Sequence, residues 1–101
     1  MYKLQLISHP REDVHQAKLY YNHIYPRLGK RFHKDFYNII ENVVGNPFVY
    51  GSRIKGFRTA NLNIFPYQLY YIVEEATNTI IIIAVLHAHR HPNYIQERLN
   101  K

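Results

Sequence analysis

Thr79-Ile80-Ile81-Ile82-Ile83-Ala84-Val85-Leu86-His87 contains a run, Ile80 to Leu86, that is apolar at every position and mostly β-branched. Such a run suits a central strand covered on both faces rather than a half-buried strand with alternating polarity. Working outward, Tyr67 to Glu74 and Phe57 to Ile64 read as two further strands, and Glu75 to Asn78 as the hairpin turn before the apolar run. Gly51, Gly56 and Pro66 punctuate the loops. The second half of the chain is therefore expected to form a three-stranded antiparallel meander with Ile80–Leu86 central.

The first half has a different period. Residues 2–7 alternate loosely and end at Ser8-His9-Pro10, a short strand followed by a helix start, since proline is tolerated in the first helical turn. Glu12 and Asp13 stand near the positive helix end. Val14, Ala17, Tyr21, Ile24 and Leu28 follow at spacings of three and four, which makes one apolar face. Pro26 should end or bend this helix. A second stripe, Leu28, Phe32, Phe36, Ile39 and Val43 with Ile40 widening it, runs until Gly45-Asn46-Pro47. Two amphipathic helices joined this tightly form an αα-hairpin, from about Pro10 to Val44, that must bury its double stripe on the sheet. The expected core includes Leu6, Val14, Ala17, Tyr21, Phe36, Ile39, Val43, Leu69, Tyr71, Ile81, Ile83 and Val85. The expected fold class is α+β, a helical hairpin packed on a mostly antiparallel β-sheet in the order β-α-α-β-β-β. Pro92 to Leu99 is expected to add one or two helical turns.

The whole chain has 101 residues, 47% of them hydrophobic, which is one small domain with a real core. It lacks cysteine, which removes disulfides, thiolate metal sites and Cys nucleophiles together. No apolar run approaches a membrane span and the N-terminus has no secretory h-region, so a soluble, cytoplasmic protein is expected. A net charge of +6 calls for an acidic partner, and ten tyrosines without tryptophan fit a protein that binds.

Phe65-Pro66-Tyr67-Gln68-Leu69-Tyr70-Tyr71-Ile72-Val73, followed by Val85-Leu86-His87-Ala88-His89-Arg90-His91-Pro92, carries a resemblance. The pair resembles the F-P-Y-x-I-x-Y-x-V phrase and the strand ending in H-x-x-R-[DN]-P of the RelE/ParE toxin superfamily of bacterial type II toxin–antitoxin systems, plasmid stabilization proteins included. Arg58, in the step Arg58-Thr59-Ala60 eight residues before Pro66, is similar to an Arg-x-Leu step in many members. The likeness extends over nearly all of residues 1–101 as a single toxin domain. It implies a toxin held inactive by a cognate acidic antitoxin, with room for a homodimer or a toxin–antitoxin hetero-oligomer. Neither cofactor nor metal nor membrane is implied.

Two targets exist among the proteins resembled. RelE-like members are endoribonucleases that cut mRNA on the ribosome; ParE-like members poison DNA gyrase and are not enzymes in that reading. Strand cleavage by 2′-OH attack needs a proton acceptor, a cation on the phosphate and a donor for the leaving oxygen. The nearest equivalents are Arg58, His87, Arg90 and Tyr94. Gln68, however, stands where many RelE-like nucleases have a catalytic arginine, and Thr59 and Asn61 stand where RelE has lysines. A neutral amide cannot neutralise a phosphorane. The expected reading is therefore ParE-like, with the nuclease and an inactive basic binding module as alternatives.

The bland reading of Arg58 and Arg90 is surface charge or a salt bridge to Glu74, Glu75 or Glu97. His87, His89 and His91 would share a face if the strand ran on, but Pro92 ends it and no carboxylate stands beside them, so a metal trio is not expected. Among the tyrosines, Tyr21, Tyr67, Tyr70 and Tyr71 are expected in the core, Tyr20, Tyr25, Tyr50 and Tyr94 outside it. Arg27, Lys30, Arg31 and Lys34, with Arg53, Lys55 and Arg58, form basic clusters expected to steer an acidic antitoxin.

Overall fold

The computed structural model describes residues 2–6, 8–51 and 56–88. Strand β1 (Lys3–Leu6) leads into helices α1 (Ser8–Ile24) and α2 (Leu28–Gly45), then strands β2 (Arg58–Asn61), β3 (Tyr67–Glu74) and β4 (Thr79–His87). The sheet order is β1-β4-β3-β2, with β1 parallel to β4 and the other pairs antiparallel. The apolar run is thus central, flanked by β3 and, as far as Ile82, by β1.

The hairpin turn is sharp. Arg27, next to Pro26, adopts a left-handed backbone at φ 73° and caps α2 without a side-chain bond of its own. Asn22 supplies the acceptor instead, taking the Gly29 N–H at 2.8 Å. The α2 stripe lies on the sheet as its spacing predicts: Phe32, Phe36, Ile39, Ile40 and Val43 are all buried, with Val14 and Ala17 of α1 beside them. Each of these side chains larger than alanine contributes roughly 1.5–3 kcal/mol by leaving water. Tyr21, Phe32, Phe65 and Tyr67 form an aromatic cluster with centroids 4.7–6.1 Å apart, mostly edge to face.

Strand β4 contains a bulge. Tyr70 pairs with Ala84 and Tyr71 with Ile82, leaving Ile83 without an opposite number. An extra residue flips the side-chain alternation. Ile80, Ile82 and Val85 consequently face the helices, whereas Ile83, Ala84 and Leu86 pack with Phe57, Tyr70 and Ile72 on the far face.

Three sequence expectations need correction. Ile81 is only half-buried, because it faces away from Ile80 and Ile82, between the exposed Gln5 and the half-buried Ile72. Ile24 is exposed: Tyr21 closes the packed part of α1 against Phe32, Phe65 and Tyr67, and Ile24 lies in the turn beyond. Strand β2 stops at Asn61 rather than Ile64, because the N–H groups of Asn63, Ile64 and Phe65 bond to the Asp35 carboxylate at 3.1, 2.9 and 2.9 Å. The expected turns over Pro92 to Leu99 lie outside the described residues.

Candidate functional site

The cross-strand register brings the decisive substitutions onto one surface. Asn61 pairs with Gln68 and Thr59 with Tyr70, so all four side chains point to the sheet face away from the helices. There Tyr70, Gln68 and Asn61 form a neutral chain. Tyr70 Oη donates to Gln68 Oε1 at 2.9 Å, and Gln68 Nε2 donates to Asn61 Oδ1 at 3.0 Å. Gln68 and Tyr70 are both buried. The amide is held by its neighbours and offers a phosphate no charge. Thr59 Oγ1 is also buried, without a hydrogen-bond partner.

Arg58 is tied up elsewhere. It pairs with Tyr71 in register, faces the helix side, and donates from Nη1 to the carbonyls of Tyr50 (2.6 Å) and Phe48 (3.4 Å). Its guanidinium also lies 5.0 Å from the centre of the Phe48 ring. These contacts staple the α2–β2 loop to the sheet edge, beside Tyr71, whose hydroxyl donates to the Pro47 carbonyl at 2.6 Å. Burial pushes the Tyr71 phenol up to about 12, with Tyr50 adding to the rise and Arg58 opposing it.

His87 stands at the other end of the sheet, opposite Tyr67, its ring 5.4 Å from the tyrosine ring. Tyr71 and Tyr67, the β3 partners of Arg58 and His87, are four positions apart, about 13 Å of strand, and β3 itself lies between the two candidates. The structure therefore does not bring these two candidates together. His87 borders a cleft of about 480 Å³ between α1 and β4, lined also by His9, Glu12, Asp13, Gln16, Tyr20 and Tyr67. Glu12 and Asp13 give this cleft carboxylates, which repel a phosphate. Arg90, Tyr94, His89 and His91 lie outside the described residues, as do Arg53 and Lys55. Among the described residues no group of three His, Asp or Glu side chains is placed to hold a metal ion. Among them, too, no helix is long and apolar enough to cross a membrane.

Arg27, Lys30, Arg31 and Lys34 are exposed at spacings of three and four, along the outward face of α2. His33, turned toward α1, is half-buried against Tyr37 with ring centres 4.5 Å apart, and its Nδ1 is buried without a hydrogen-bond partner. Burial, and secondarily Lys18, hold it below the usual histidine value.

The residues that sequence reasoning missed are the aspartates. The chain has only Asp13 and Asp35, and each joins a helix to the backbone of the sheet region: Asp13 Oδ2 accepts the Val85 N–H at 3.0 Å, and Asp35 takes three N–H groups. The available signal was Asp35 lying between Phe32 and Ile39, inside an otherwise apolar stripe.

A helical hairpin on this four-stranded sheet is the fold of bacterial toxin–antitoxin toxins. The solved E. coli RelBE toxin–antitoxin complex is similar over 89% of this chain and 100% of that chain, with 17% identity and a TM-score of 0.67. The isolated E. coli RelE toxin is similar over 99% of this chain and 98% of that one, at 16% identity and TM-score 0.66. The chromosomal ParDE system from P. aeruginosa matches over 86% and 96%, at 19% identity and TM-score 0.65. No curated protein matches the sequence significantly. The family described as ParE toxin of type II toxin-antitoxin system, parDE, matches residues 11–92. The chain belongs to that family.

Proposed function

We propose that the chain is a ParE-like toxin that inhibits DNA gyrase in the cytoplasm and is neutralised by a cognate acidic antitoxin. The observation that carries this reading is the neutral Asn61–Gln68–Tyr70 chain, since positions 61 and 68 are ones where the resemblance implies cations in a RelE-like nuclease. The engagement of Arg58 with loop carbonyls and the carboxylates beside His87 point the same way. A phosphorane intermediate needs preorganised positive charge, and these groups do not supply it. The basic face of α2, with Arg53 and Lys55, is the surface proposed to attract the antitoxin.

Expression of the chain alone in a bacterial host tests the reading, alongside supercoiling assays with purified gyrase. Growth arrest with DNA-damage induction and blocked supercoiling is the expected result. Arrest with mRNA cut within codons and gyrase unaffected would instead assign a ribosome-dependent endonuclease using Arg58, His87, Arg90 or Tyr94. Absence of arrest at a normal soluble level would assign an inactive binding module.

A further inference from the structure

The turn between β2 and β3 carries an aliphatic side chain that the core does not use. Leu62 and Phe65 are 6% and 7% exposed, whereas Ile64 between them is 64% exposed. The turn is fixed at its ends and in its middle. The Leu62 N–H donates to the Tyr67 carbonyl at 3.0 Å, and Asp35, itself 1% exposed, holds the N–H groups of Asn63, Ile64 and Phe65. Burying a carboxylate is costly unless its oxygens are bonded. Here the bonds fix the backbone on and around Ile64, so little conformational entropy remains to be lost when a partner closes over it. Arg31 stands one helical turn before Asp35 on the same side of α2, and Lys34 is its neighbour; both are exposed.

We infer that Ile64 is a docking knob by which the chain engages the protein it poisons, at an apolar socket rimmed by carboxylates. This rests on the toxin reading. The chemistry of the occupant follows from charge and polarity together. The chain carries +6, and the exposed side chains of Arg31 and Lys34, on α2 next to the Asp35 whose charge is taken up by the turn, are cationic, so the complementary rim is anionic. A rigid apolar anchor at the middle of a polar ring is the arrangement of a protein hot spot. A nucleic-acid backbone would engage the cations and leave Ile64 unused.

The full chain is induced in a bacterial host as wild type, Ile64→Ser and Ile64→Leu, with soluble level and thermal midpoint recorded for each. At equal level and midpoint, I64S should raise survival about tenfold or more, the effect of losing a hot-spot anchor, while I64L arrests like wild type. I64S arresting as strongly as wild type overturns the knob and leaves the toxin reading standing. A wild-type chain that does not arrest overturns both. Titration on purified gyrase and on a DNA duplex supplies the second arm. A loss of about tenfold for I64S on gyrase alone supports a protein socket, and a loss on the duplex overturns it. Should wild type arrest growth without binding gyrase, gyrase fails as the target and the survival of I64S decides the knob by itself.

Discussion

Asn22 Oδ1 accepts the Gly29 N–H at 2.8 Å across the turn between the helices, capping α2 from the last turns of α1. The same contact explains the glycine. A Cβ at position 29 would stand 2.6 Å from Asn22 Oδ1, so a side chain there displaces the cap. Losing a cap costs about 1 kcal/mol, and alanine recovers up to about 1 kcal/mol over glycine within a helix. Gly29→Ala should therefore be neutral to mildly destabilising in the wild type, and stabilising once Asn22→Ala has removed the obstacle. A double-mutant cycle in urea reads this change of sign; strict additivity would show that the two residues are not coupled.

Asp35 links α2 to the β2–β3 turn through three N–H groups, of which that of Phe65 is buried. Asp35→Ala strands these donors, and an unsatisfied buried donor alone costs about 1–3 kcal/mol. Asp35→Ala should lower stability by about 3 kcal/mol, and Asp35→Asn, which keeps one acceptor oxygen, by about half of that. Chemical denaturation with an unchanged m-value checks the size. A loss below about 0.5 kcal/mol for Asp35→Ala, the range of an ordinary surface change, would contradict the role assigned to the carboxylate.

The helical hairpin was legible because each helix repeats its apolar residues every three or four positions and Pro26 separates them. The central place of Ile80–Leu86 was legible because continuous apolarity needs cover on both faces. That same continuity hid the bulge: with every residue apolar, nothing in the run marks Ile83 as the extra one. The end of β2 was hidden for another reason, since its cause, Asp35, lies 28 residues from Asn63 in sequence. The site was half legible. The neutrality of Gln68 is plain in the sequence, but its bond to Asn61 depends on cross-strand register, and the use of Arg58 as a loop staple depends on the Tyr50 carbonyl.

His33 and Tyr71 set opposite limbs of the pH–stability curve. Burial lowers the His33 value in the folded state, so the unfolded chain binds the proton more readily. Its contribution is present above the ordinary value of 6.5 and is lost as pH falls below it. Burial raises the Tyr71 phenol from 10.0 to about 12, so its contribution is present below pH 10 and is lost as pH rises through that interval. Equilibrium unfolding across pH should show both losses, with His33→Gln flattening the acid limb and Tyr71→Phe the alkaline limb. Tyr21, likewise raised to about 12, leaves part of the alkaline loss in place. An acid limb unchanged in His33→Gln would show that His33 protonation is not coupled to folding.

Gln68→Arg separates the two target readings from the side of the chain itself. The substitution places a cation at the buried Gln68 position, beside the buried Tyr70, where its desolvation has no carboxylate to offset it. Stability should fall by about 2 kcal/mol or more, an uncompensated buried charge being among the costliest changes. On the ParE-like reading the folded fraction gains no ribosome-dependent mRNA cleavage, because one cation does not rebuild a phosphate site whose other positions are Thr59 and Asn61. Primer extension on message from cells expressing the variant measures this. Cleavage within codons gained by the variant would show that the surface lacks only this cation and would move the assignment toward the nuclease.

The basic face of α2 makes the last prediction. Arg27 at the N-cap and Lys30, Arg31 and Lys34 in the first turns of α2 are all exposed, so reversing them should leave the core untouched. Charges on an exposed face act mainly on diffusional encounter, over a Debye length of roughly 10 Å at moderate salt. Converting all four to glutamate should slow association with an acidic antitoxin by about tenfold or more at low salt, flatten the salt dependence of the on-rate, and change the off-rate little. The fourfold variant should also keep the wild-type thermal midpoint within about 10 °C, since surface substitutions usually move stability by about 0.5 kcal/mol or less each. Stopped-flow association across a salt series decides the matter. If the on-rate and its salt slope remain at wild-type values, the steering charge resides elsewhere on the chain.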